Sequence, residues 1–159
     1  RGGAYAELNR PERAIEDYNK AIKLNPNLAE AYANRGFSYA EIEKHNESTR
    51  DLKRAGILFF YSGRVDGSAN VFSFCFHLRE KIENDDVIYC SLALYLITLN
   101  PDAIMELRRM RIQDETLRTI RELTMRKLQN EDISEEVRVL EEREKREEMS
   151  ILLELLKRF

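Results

Sequence analysis

Apolar residues recur at helical spacing over most of the chain. Leu117, Ile120, Leu123 and Leu128 form one stripe, and Ile133, Val137 and Leu140 another at i, i+4, i+7. Met149, Leu152, Leu153, Leu156 and Phe159 make an apolar face near the end. Residues 46–61 read as one helix ending at Gly63 and Gly67, and Met105–Arg111 as a short helix or the opening of a longer one. Phe72, Phe74 and Phe76 alternate as in a strand. That segment runs on at helical spacing into Leu78–Ile82, so helix is expected. Asn84 or Asp86 is expected to start the next helix, Val87–Leu99, which ends at Leu99-Asn100-Pro101-Asp102. This is the longest apolar stretch, and it is shorter than the ~20 residues a membrane span needs. Between Glu141 and Glu148 nearly every residue is charged, which predicts a solvated helix face held by i,i+4 pairs.

The opening of the chain repeats itself. Arg1-Gly2-Gly3-Ala4-Tyr5-Ala6-Glu7-Leu8 aligns with Arg35-Gly36-Phe37-Ser38-Tyr39-Ala40-Glu41-Ile42, an offset of 34 residues (36 − 2 for the glycines). Gly2, Gly36, Ala14 and Ala21 are small enough to let two helices approach closely. Tyr5, Tyr18, Tyr32 and Tyr39 can fill the spaces between neighbours. Pro11 suits a first helical position, and Asn46 a cap on the matching helix of the second copy. Pro26, in Leu24-Asn25-Pro26-Asn27, cannot continue the helix before it.

This unit resembles the tetratricopeptide repeat. The likeness is specific over residues 1 to about 55 and weakens beyond, where Ser48 and Leu52 stand for the small Ala and the aromatic. Residues 70–103 read either as a third, degenerate repeat or as unrelated helices. The resemblance implies an all-α fold of helix-turn-helix repeats stacked as a right-handed α-α superhelix. The C-terminal helical extension follows it, giving repeats over 1–103 and capping helices over 104–159.

Composition narrows the function. The 159 residues are 43% hydrophobic and 35% charged, against a charged share of about a quarter in ordinary domains. A net charge of −3 gives no basic surface for nucleic acid. Arg108, Arg109 and Arg111, with Arg118, Arg121 and Arg126, are interleaved with Glu106, Asp114, Glu115 and Glu122, so a mixed surface is expected there. Cys75 and Cys90 read as reduced core thiols of a cytoplasmic protein. His45, placed in an inter-helix loop, and His77 stand alone, no phosphate-binding loop occurs, and Asn46-Glu47-Ser48 reads as a helix start rather than a glycosylation site. No enzyme activity, cofactor, metal or membrane association is expected. The chain starts at Arg1 and is read as a fragment of a longer protein.

In tetratricopeptide proteins the first helices line a hollow that holds peptides or partner helices. On the matching positions, the resemblance implies a groove of Gly3, Ala6 and Glu7 with Glu30, Ala33, Asn34, Phe37, Ala40 and Glu41. Phe37 is the expected anchor, on a face that packing does not need. Asn34 matches one member of the set that grips chaperone C-termini, but the other members are missing. With Glu7, Glu30 and Glu41 acidic, an apolar or basic protein partner is expected. The final helix reads as a cap on the stack, as a membrane-surface helix or, through Leu152, Leu153, Leu156 and Phe159, as a homodimer contact. A self-assembling structural protein and the non-catalytic fragment of a larger regulatory protein are the alternatives to a binding module.

Overall fold

The structure, a computed structural model, describes residues 10–82, 84–99, 103, 105 and 107–158. Among the described residues eight helices have both ends defined: α1 Pro11–Leu24, α2 Ala29–Glu41, α3 His45–Tyr61, α4 Val65–His77, α5 Asp85–Thr98, α6 Glu115–Leu128, α7 Ser134–Arg143 and α8 Glu147–Arg158. A 3₁₀ turn, Leu78–Glu80, follows α4. No strand occurs among the described residues. The all-α stack of repeats with a C-terminal helical extension is therefore the fold. Tyr5 and the Leu8 end of the first repeat lie outside the described residues.

Local chemistry explains most boundaries. Pro11 opens α1, where its missing N–H costs no hydrogen bond. Asn84 caps α5 by accepting from the Val87 N–H at 2.9 Å. Leu99 ends that helix in the left-handed region, φ 55°. The Phe-rich segment lies inside α4, as its continuation at helical spacing required, and α4 with α5 forms a third helix pair.

Three boundary expectations fail. Asn46 does not cap α3, because the helix already starts at His45, which is therefore not in a loop. The Asn46 amide oxygen instead accepts from the Asn84 side chain at 3.2 Å. Gly67 lies within α4, against the Phe59 ring, and only Gly63 falls in the turn. The charged run 141–148 is not one helix face, for the chain breaks at Glu144–Arg146. Glu144 accepts from the Thr116 hydroxyl at 2.6 Å, and Arg146 donates to Asp114 at 2.5 Å. Asp114 also caps α6 through the Leu117 N–H. The break thus pins the α7–α8 corner to the start of α6. Arg146 holds the Glu144 carboxyl down at about 2, helped by Thr116.

Each of α1 to α4 packs on the helix that follows it, and α3 also touches α5. Small residues set the close approaches. Gly36 lies so near Leu52 that a Cβ there would stand 3.0 Å from the Leu52 side chain. Between α3 and α4 the small and large partners change helix: a Cβ on Gly56 would overlap the Phe72 ring. The Ser68 hydroxyl donates to the Gly56 carbonyl at 2.9 Å in the same contact. Arg35 of α2 ties three helices, donating to Asp51 of α3 at 2.6 and 2.8 Å and to Asn19 of α1 at 2.5 Å.

The tail folds back over the second helices of the pairs. α8 packs on α5, α6 and α7. Its Glu148 pairs with Lys53 of α3 at 3.2 Å, while Lys53 also binds Asp86 of α5 at 2.7 Å. Burial opposes the Lys53 ammonium, but Asp86 and Glu148 outweigh it and its pKa stands above the ordinary lysine value. Tyr89 of α5 donates to the Glu148 carbonyl at 2.7 Å. Leu152, Leu153 and Leu156 are buried inside the chain itself. The expectation that they meet a second copy is corrected on that ground, since burying them once leaves nothing to bury again. Phe159 lies outside the described residues.

Candidate functional face

α8 packs on α5 and bonds to α3 through Lys53, and at most marginal contact joins it to α2 and α4, the first helices of the second and third pairs. The two helices meet through Phe37 and Phe74, whose rings stand edge to face with centroids 4.8 Å apart. Phe74 is 38% exposed and Phe37 is half-buried. Phe37 therefore does more packing than its sequence position suggested, and its exposed partner is Phe74. One helical turn earlier stand Asn34 on α2 and Asn70 on α4, both exposed. At the helix starts, Arg64 donates to Glu30, stacks over Phe59 and closes that end with a charge pair. The hydrogen bond from Arg64 lowers the Glu30 pKa. Glu41, His77 and Lys81 lie exposed at the other end.

Of the residues the sequence placed in the groove, Glu30, Asn34, Phe37, Ala40 and Glu41 lie on α2 with at least part of their surface open. Ala33 is corrected: it is buried against the core, and its methyl serves helix packing. Gly3, Ala6 and Glu7 lie outside the described residues. Sequence reasoning missed Phe74, Asn70 and Arg64. The repeat is degenerate there, and the signal that could have found them is the i, i+4 spacing of Asn70 and Phe74.

The remaining chemistry is sparse. Cys75 and Cys90 are free, buried and within hydrogen-bonding contact, and burial pushes the Cys90 thiol up. His77 bonds the Ser73 carbonyl through Nδ1 at 2.6 Å, at the end of α4. Arg118 and Arg121 donate to carbonyls of residues 107–113, so this part of the basic concentration braces a loop. Among the described residues no cluster of His, Cys, Asp and Glu could hold a metal, and no helix is long and apolar enough to cross a membrane.

A stack of helix pairs with one open face defines a helical-repeat protein. The family whose model matches is the TPR repeat, the tetratricopeptide repeat, over residues 2–42. The match agrees with the internal period of the opening residues and ends just before α3. Such repeats generally mediate protein–protein interaction, and the family is typically a non-catalytic scaffold. No solved structure matches the chain.

Proposed function

We propose that this chain is a binding module that holds a peptide or partner helix across the outer face of α2 and α4. The observation that carries the reading is the Phe37–Phe74 pair, an aromatic contact left partly open at the centre of that face. Such a site offers a partner a rigid apolar anchor at small entropic cost. Asn34 and Asn70 add carboxamides able to donate to and accept from a partner's backbone. Asp66 is exposed one turn before Asn70, and Glu41 stands exposed at the far end with Lys44 and Lys81, so the charges there are mixed and the aromatic centre suits an apolar segment, with a basic one next and an acidic one last. The reading makes the protein a non-catalytic one of the cytoplasm, where the neighbouring thiols Cys75 and Cys90 stay reduced.

The test is capture from native lysate on immobilised wild-type chain and on Phe74→Asp, followed by binding of the captured protein in purified form. Wild type should retain it and Phe74→Asp should lose it while still melting cooperatively, within a few degrees of wild type. Equal retention by both would refute the site.

A further inference from the structure

Two surfaces outside that face are unusual for opposite reasons. The first is a cleft of about 470 Å³ between α6 and α7. Val139, 40% exposed, and Leu140 line it, with Glu115, Glu135, Glu136 and Arg143 around them. The helix beside the cleft is thinly packed: Val137 is the only fully buried residue of α7. The lining holds four glutamates, Glu115, Glu135, Glu136 and Glu144, against one cation, Arg143. Glu135 and Glu136 pair with Arg138 and Arg126, but these pairs are exposed and of the kind that competes poorly with a better partner.

The second surface is the end of α1. Leu24 is 87% exposed, and Lys23 beside it and Lys20 one turn before it are exposed too. Among the described residues Lys20 pairs with Asp17, on its own helix. An apolar knob carrying two ammonium groups is what the cleft lacks: an alkyl group for Val139 and Leu140, and cations for its glutamates.

We propose that the α1 knob of one copy docks in the α6–α7 cleft of a second copy. Leu24 packs on Val139 and Leu140, while Lys20 and Lys23 meet Glu135 and Glu136. The contact joins different surfaces of the two molecules, so it builds head-to-tail chains rather than a closed pair. It leaves the Phe37–Phe74 face free, and assembly and partner capture are independent.

Sedimentation over a concentration series at low salt tests this. The apparent mass of wild type should climb past twice the monomer value and fall back in high salt, where exposed charges are screened. Lys20→Glu/Lys23→Glu alone and Glu135→Lys/Glu136→Lys alone should each stay monomeric and melt cooperatively. Mixed together they should assemble again, because the acidic knob of one variant fits the basic cleft of the other. Phe74→Ala should assemble like wild type. A wild type that stays monomeric, a reversed variant that assembles alone, a mixture that does not, or loss of assembly in Phe74→Ala would each overturn the proposal.

Discussion

The helix pairs of residues 11–98 and the extension of residues 107–158 are both helical, yet they are held by different means. In the pairs, each helix from α1 to α4 leans on its successor, and small residues such as Gly36 and Gly56 set the distance. In the extension, α8 reaches back to α5 and to Lys53 of α3, ninety-five residues away in the chain. α7, between them, has a single buried residue. Stacked pairs can therefore be read from nearest neighbours, as in other repeat arrays. The extension has to be read from the surface it covers. That difference also has a functional side: the tail's described contacts fall mainly on the second helices, away from the first-helix face.

The sharpest way to break this comparison is through α8. If α8 completes the core, Leu153→Ala should cost about 3–4 kcal/mol, the range for a fully buried leucine, and lower the melting temperature of the whole chain in one transition. A separate early transition confined to the tail would show the extension to be an accessory. In the pairs, Gly56→Ala should cost about 2–3 kcal/mol, because the new methyl meets the Phe72 ring. Adding Phe72→Leu should return part of that loss in urea unfolding, since a smaller side chain vacates the space. Asp51→Asn leaves the Arg35 guanidinium half-buried without its counter-charge, and about 2 kcal/mol should go. Phe37→Ala should cost about 1 kcal/mol, less than a core phenylalanine, because its ring is only partly enclosed.

The smallest effect sits at the corner that joins the two halves of the extension. The folded chain holds Glu144 at about 2, below the ordinary 4.5, so it binds that proton more weakly than the unfolded chain does. Its stabilisation is full at neutral pH, fades as pH falls below about 4.5 and is gone near 2. The melting temperatures of wild type and Glu144→Gln should differ at pH 7 and converge as pH approaches 2. A difference that persists there would mean Glu144 acts by its shape and not by its charge.

The same contrast decides what could be read from the sequence. Pro11 and the Asn84 cap are local signals, and the structure follows them, while the 34-residue offset agrees with the repeat match over residues 2–42. The helix over the Phe-rich segment was legible because its apolar spacing continued past Leu78. The Gly56–Phe72 contact was hidden, since it exchanges the small and large positions that the repeat pattern leads one to expect. Lys53, Asp86 and Glu148 come together only through folding, and no periodicity announces such a trio. The break at Glu144–Arg146 was invisible for the same reason: its cause is Thr116 and Asp114, about thirty residues upstream. The face was half legible. The resemblance pointed to α2, but Ala33 turns into the core, and Phe74 lay where the repeat had decayed.

Hydroxyl-radical footprinting tests most directly that the tail lies away from an open first-helix face. Met149 is 2% exposed and Phe74 38% exposed, although a methionine is the more reactive side chain when both are bare. In the native chain Phe74 should be oxidised readily and Met149 should stay protected until the protein unfolds. Rapid oxidation of Met149 with Phe74 shielded would place the tail on the wrong side and contradict the account.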